Sequence, residues 1–300
     1  MTKRILYVTD FSAGSLKVAA PVAHLARKLN ARVELCHVDE EERVLPGGSS
    51  AVLVEFLNRV EARRSQTLEG TANSLREQEL DVDIVRLKGY ASREIIRYAQ
   101  EQSVALVAIS ALGTEGFKSL LMGSTAANVL RNCHRPVLFL GANVPLFREY
   151  SISSVLYPTD FSPVSRDGLW MAARLSMSLG AKLNVLHVMR IPSFIPGLPG
   201  EPPLAFPVSG VENLNEEFQR MMDELVADLG IQDVSWEVTI AQDESVAIVE
   251  TGMARKADLI VIPKVGEGVL EGLFFGRTAE NVARLSSVPT LLFHPAEVTR

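Results

Sequence analysis

The sequence predicts an α/β protein made of two tandem, doubly wound, five-stranded parallel-sheet domains, and three observations carry that prediction. The chain repeats itself: ILYVTDFS…LCHV, from Ile5 to Val38, lies without a gap on VLYPTDFS…VLHV, from Val155 to Val188. Further on, ALVAISALG (Ala105 to Gly113) lies on DLIVIPKVG (Asp258 to Gly266), and GSTAANVLR (Gly123 to Arg131) on GRTAENVAR (Gly276 to Arg284), in the same order. Within each copy, short β-branched runs alternate with longer amphipathic stretches, the pattern of a parallel sheet joined by crossover helices. The 300 residues also exceed what one α/β core ordinarily holds, so length points to two domains, placed at 1–144 and 150–297.

Taken in order, the first copy places strands at Arg4 to Val8, Arg32 to His37, Val82 to Leu87, Leu106 to Ser110 and Val137 to Leu140. The second repeats them near Ser154 to Tyr157, Lys182 to His187, Ser235 to Ile240, Leu259 to Pro263 and Thr290 to Phe293. Each copy reads β-α-β-α-β-α-β-α-β. The joining segment, Pro145 to Ser153, is short, which predicts halves that pack together rather than swing. Ile191 to Pro207 is too rich in Pro and Gly for helix or central strand and reads as a loop after the second strand of its half, a surface excursion or a lid.

Composition narrows the function classes. A hydrophobic fraction of 47% with 22% charged residues is that of a folded globular chain. A formal net charge of -6 opposes binding to phosphate backbones, so nucleic acid is not expected as a partner. The apolar run after Lys3 and Arg4 ends at Asp10, too soon for an export signal, and the longest apolar runs are strand-sized, which predicts no membrane association. Two cysteines, Cys36 and Cys133, each beside an apolar stretch, suit free thiols in a reducing compartment, hence the cytoplasm.

Chemistry in a doubly wound sheet gathers at the carboxyl ends of the strands. Thr9 and Asp10 follow the first strand of one half and Asp160 that of the other, where a carboxylate can accept hydrogen bonds from a ribose or base; Asp10 and Ser12 equally suit a helix cap. After the fourth strand, Gly113 and Gly116 open a loop that closes in Gly123, Ser124 and Thr125 at a helix start. Glycines let backbone amides approach an anion, and a helix N-terminus offers unpaired N–H groups and a favourable dipole; a tight turn with an ordinary Ser/Thr cap is the plainer alternative. The chain has no G-x-x-x-x-G-K-[ST] loop and no G-x-S-x-G elbow, so neither a P-loop enzyme nor an α/β hydrolase is predicted. The five histidines lack ligand spacing with one another or with the cysteines, and His37 with His187 reads as a repeated structural pair.

Together YVTDFS, LCHV, GTEGFKSLLMGSTAANVL and RPVLFL resemble the successive landmarks of universal stress proteins, over nearly all of both halves. The resemblance implies a Rossmann-like fold and an ATP-binding regulatory, stress-response protein with no catalytic residue and no metal beyond the magnesium that accompanies ATP. It implies that Val38 contacts the adenine, Asp10 the adenine or ribose side, and Gly113, Gly116, Gly123 and Ser124 the phosphates. In the second half Asp160, Val188, Gly266 and Gly276 match, whereas Val269 stands in place of the second glycine and Arg277 in place of the hydroxyl residue, either to pair with a phosphate or to fill the site. The first half is therefore expected to hold the better site. A nucleotide-free adaptor acting through protein contacts is the alternative. The resemblance also implies pairing through the last strands, here Val137 to Leu140 with Thr290 to Phe293, giving an intramolecular pseudo-dimer that is either monomeric or doubled into a homodimer of tandem chains.

Overall fold

A computed structural model describes residues 3–40, 51–111, 122–190, 209–265 and 275–294. The first half contains β1 (Lys3–Val8), α1 (Ala13–Leu16), α2 (Ala19–Leu29), β2 (Ala31–Asp39), α3 (Ala51–Arg76), β3 (Val82–Lys88), α4 (Ala91–Glu101), β4 (Leu106–Ser110), α5 (Ser124–Asn132) and β5 (Val137–Leu140). The second contains β6 (Ser154–Thr159), α6 (Pro163–Leu179), β7 (Lys182–Arg190), α7 (Ser209–Leu229), β8 (Val234–Ala241), α8 (Glu244–Ala254), β9 (Leu259–Pro263), α9 (Arg277–Leu285) and β10 (Thr290–Phe293). The strands form one ten-stranded sheet in the order β3-β2-β1-β4-β5-β10-β9-β6-β7-β8. Pairing is parallel within each half and antiparallel only between β5 and β10, where Thr290 faces Phe139 and Leu292 faces Val137. The anticipated pairing of the last strands thus fuses two five-stranded sheets into one.

Burial follows position in the sheet. The inner strands β4 (LVAIS) and β9 (LIVIP) are buried at every residue and are apolar but for Ser110, because helices cover both their faces. The edge strand β3 (VDIVRLK) instead carries Asp83, Arg86 and Lys88, and charge on an edge discourages pairing with other chains. One face of the sheet packs against α2, α3, α6 and α7 through residues such as Val22, Leu68, Leu169 and Phe218. The other packs against α4, α5, α8 and α9 through Ile95, Val129, Ile248 and Val282.

Local chemistry sets the helix ends. Ser162 caps α6 by accepting from the Ser165 amide, Pro163 occupies the first helical position, and Gly180 ends the helix in the left-handed region at φ 69°. In the first half the matching helix is interrupted between Leu16 and Ala19. The repeat offers the reason: Val18, fully buried, aligns with Gly168, where an added Cβ would lie 2.3 Å from the Tyr157 hydroxyl oxygen.

The joining segment is pinned down, as its shortness predicted. Ser153 donates from its amide and hydroxyl to Asp258 Oδ2, both at 2.8 Å, Tyr150 donates to the Asp258 carbonyl, and the Ile152 amide donates to His24 Nε2 at 3.2 Å. At the seam between halves, the buried Lys264 Nζ donates to the Cys133 carbonyl at the end of α5, and Arg131 pairs with Glu280 at 3.0 Å. A cation at a helix C-terminus meets the negative end of the helix dipole.

Candidate functional site

Each half carries a cavity at the carboxyl ends of its strands, at the switch point between the first and fourth strands of that half. The first encloses about 530 Å³ and the second about 400 Å³.

The TDFS turn builds one wall of each. Phe11 and Phe161 sit in the left-handed region, φ 64° and 63°, a conformation that costs a bulky residue about 1–2 kcal/mol. Three contacts hold it in place. Thr9 Oγ1 accepts from the Phe11 amide at 3.1 Å, the Phe11 ring lies 4.4 Å from that of His37, and His37 Nδ1 meets the Thr9 carbonyl at 2.9 Å. The second half repeats all three with Thr159, Phe161 and His187, at 3.2, 4.7 and 2.9 Å. His37 and His187 therefore tie the first strand's end to the second strand, the structural part expected of them, while also lining the cavities. Donation to a carbonyl requires the proton on Nδ1.

Asp10 belongs to both readings considered from sequence. Its Oδ1 accepts from the Ser12 amide at 3.0 Å and the Ser12 hydroxyl at 2.6 Å, while Ser12 caps α1 by accepting from the Ser15 amide; Asp10 nevertheless lines the cavity. Asp160 does the same with Ser162, at 3.0 and 2.7 Å.

The opposite wall is the start of α5. Its N-cap is Gly123, with no side chain capping it, so the ordinary Ser/Thr cap is not what forms here; Ser124 and Thr125 belong to the first turn and line the cavity. The glycine is required by close approach. Its amide donates to the Ala111 carbonyl at 2.9 Å, and an added Cβ would lie 3.2 Å from that oxygen. The structure thus brings Thr9, Asp10, Val38, Gly123, Ser124 and Thr125 around one space. Gly113 and Gly116 lie outside the described residues, as do Gly266, Val269 and the loop 191–207.

Sequence reading missed several contributors. Ala91 and Ile95, from the first turns of α4, close the side nearest Val38, and Glu40 Oε1 accepts from the Ala91 amide at 3.4 Å. Arg64 reaches the cavity from α3, 4.0 Å from Asp39, whose carboxylate also meets Arg86 at 3.2 Å and His37 Nε2 at 3.4 Å. Arg64 lies four residues before Leu68 on the stripe that continues to Ala72 and Leu75, so the helical period was the available signal.

The second cavity differs in charge. Asp160, Val188, Gly276 and Arg277 all line it, together with Lys264, Glu244 and Thr278. Gly276 again caps the helix without a side-chain bond, and its amide donates to the Lys264 carbonyl at 2.6 Å. Glu244, the first residue of α8, accepts from the Thr278 hydroxyl at 3.2 Å. Asp243 caps α8, and hydrogen bonds from the Val246 and Ser245 amides, with Arg277 nearby, hold its carboxyl below the usual carboxylate range. Arg277 is thus exposed beside acidic groups of its own half.

Among the described residues no cluster of three or more His, Cys, Asp or Glu is arranged to hold a metal ion, and no helix is long and apolar enough to cross a membrane. Cys36 and Cys133 are buried and unbridged, and burial pushes the Cys36 thiol up to about 12.

Comparison with known proteins agrees with this architecture. The universal stress protein YxiE of Bacillus subtilis is 24% identical over 147 residues, covering 47% of this chain and 99% of its own length. A universal stress protein of Methanocaldococcus jannaschii is 28% identical over 138 residues, 45% of this chain and 80% of its own length. Two crystal structures match nearly end to end: a universal stress protein of Archaeoglobus fulgidus with TM-score 0.72 at 20% identity, covering 97% of this chain and 98% of that one, and one from Pseudomonas aeruginosa with TM-score 0.66 at 17% identity, covering 99% and 95%. The model of the universal stress protein family matches residues 1–140 and again 152–294. With a family model matched twice along its length, the chain belongs to the universal stress protein family and carries two of its domains in tandem.

Proposed function

We propose that the protein is a regulatory nucleotide-binding protein that takes ATP in the cavity of its first half. One observation carries the reading: the uncapped start of α5, at Gly123, Ser124 and Thr125, faces Asp10 and Val38 across a single cavity of about 530 Å³. An uncapped helix start favours a phosphate chain, a carboxylate at a strand end favours ribose or base donors, and an apolar strand end favours the base. The cradle fits the group in one further respect, since a side chain at Gly123 would press on the Ala111 carbonyl beside the helix start. When bound, ATP would bring its own magnesium. The described residues around it have binding and orienting parts, and the reading is of a binding protein rather than an enzyme. It acts in the cytoplasm, through a protein partner, as a monomeric pseudo-dimer or a homodimer of tandem chains.

The second half favours the adaptor alternative, because the Glu244 carboxylate in its cavity bonds Thr278 in the first turn of α9. Calorimetric titration of the purified chain with ATP, after a check for nucleotide carried through purification, tests the proposal. Binding that is lost in Gly123→Val and kept in Gly276→Val supports it. No heat, no carried nucleotide and no thermal shift would leave the nucleotide-free adaptor.

A further inference from the structure

The two cavities share a fold and differ at several lining positions, one of them the first residue of a helix that borders each. In both halves the last two helices meet the cavity by their first turns, and these pairs match in length: α4 and α8 have 11 residues, α5 and α9 have 9. The first residue of α4 is Ala91, and the first residue of α8 is Glu244. Both line their cavities.

We propose that Glu244 is a built-in occupant of the second half's anion site: its carboxylate bonds the first turn of α9 where a phosphate would otherwise be held, so nucleotide specificity between the halves is set by the Ala91/Glu244 difference. The proposal deepens the nucleotide reading above and rests on it for the first half only.

Three observations support it. The Glu244 carboxylate accepts from Thr278 Oγ1 at 3.2 Å, and Thr278 is the second residue of α9, the counterpart of Thr125 in α5. A carboxylate at a helix N-terminus is stabilised by the same dipole and donors that stabilise phosphate, so the two compete for one place. Arg277, the first residue of α9, is exposed and has the acidic Asp243 nearby. The first half has an acid near its cavity as well, but Glu40 accepts from the backbone amide of Ala91, the first residue of α4. Nothing equivalent to the Glu244–Thr278 bond can form from Ala91.

Isothermal titration with ATP on three chains tests this, with melting curves to show that each is folded. The wild type is expected to bind one ATP per chain, Glu244→Ala two, and Ala91→Glu none; glutamate is favoured in a helix first turn, so the last variant should fold. Both tryptophans, Trp170 and Trp236, lie in the second half, and Trp236 stacks on Phe218 at 4.9 Å, itself 6.1 Å from the cavity-lining His187. Occupancy of the second cavity should therefore change the emission of Glu244→Ala and leave that of the wild type unchanged. If Glu244→Ala folds and binds no more ATP than the wild type, the proposal is overturned, as it is if the wild type already binds two. A wild type that binds none, with Glu244→Ala binding one, would sink the first-half reading and leave this proposal standing.

Discussion

Replacing Gly168 by alanine adds one methyl group where α6 lies close against Tyr157 and Phe293 of the sheet. The new Cβ would lie 2.3 Å from the Tyr157 hydroxyl oxygen and 2.5 Å from Phe293 Cζ, against an ordinary contact of about 3.5–4.0 Å. Both rings are fully buried, so neither can turn aside into solvent, and α6 or the rings must shift by about 1 Å in a close-packed interior. Such overpacking costs about 1–3 kcal/mol. Disturbing the bond from the Tyr157 hydroxyl to the Ser165 carbonyl, at 2.6 Å, costs about 1 kcal/mol more. Against these stands a gain of about 1 kcal/mol in helix propensity on replacing glycine by alanine. The net is a loss of about 1–3 kcal/mol, and at about 2–4 °C per kcal/mol for a domain of this size the melting temperature falls by roughly 2–12 °C. Differential scanning calorimetry reads it, and the drop should fall in the transition that carries the second half. A melting temperature equal to or above wild type would refute both the close approach and the explanation of why the matching helix, with Val18 at this position, is interrupted.

Two further outcomes follow from buried ionisable groups. His24 accepts from the Ile152 amide through Nε2, and burial first, then Lys28 and Arg27, holds its pKa below the ordinary value, with Asp258 opposing. The unfolded histidine binds its proton more readily, so the stability tied to the neutral ring is present above the unfolded pKa of about 6.5 and lost as pH falls below it. Wild type should lose more melting temperature between pH 7.5 and 5.5 than His24→Gln, and equal losses would refute the assignment. Separately, the buried Glu34 pairs with the partly exposed Arg4 at 3.3 Å. Arg4→Met should cost about 1–3 kcal/mol in urea unfolding, below the full penalty for breaking a buried pair because Arg4 keeps solvent contact, and Glu34→Gln in the same background should restore most of it.

What the sequence made legible follows from the range of the interactions involved. Strands β4, β5, β9 and β10 were readable to the residue, since an apolar run flanked by polar or turn residues is a local pattern. Asp10 and Gly123 could be assembled because the strand-end rule places them without knowing any helix orientation, and Val38 was added by the family resemblance. The break between Leu16 and Ala19 was not readable: both helices have good periodicity, and the cause is a ring on another strand. Glu244 was hidden for a similar reason. It is an unremarked acid in a first turn, where acids are common, and its bond to Thr278 depends on the register between two helices that sequence spacing does not give. The helical period places Arg64 on the buried stripe of α3, but nothing local says how far α3 runs over the strand ends, so the period alone did not bring Arg64 to the cavity.

The single antiparallel pairing, between β5 and β10, reverses one half's strand direction relative to the other. Because each cavity opens at the carboxyl ends of its own strands, the two mouths look out from opposite rims of a sheet that ten strands, at about 4.8 Å apiece, make roughly 45 Å wide. A partner that grips one rim senses one mouth and is blind to the other. Duplication therefore did more than double a module: it gave one molecule two back-to-back faces, free to diverge in what they admit while their stability stays pooled in a common spine.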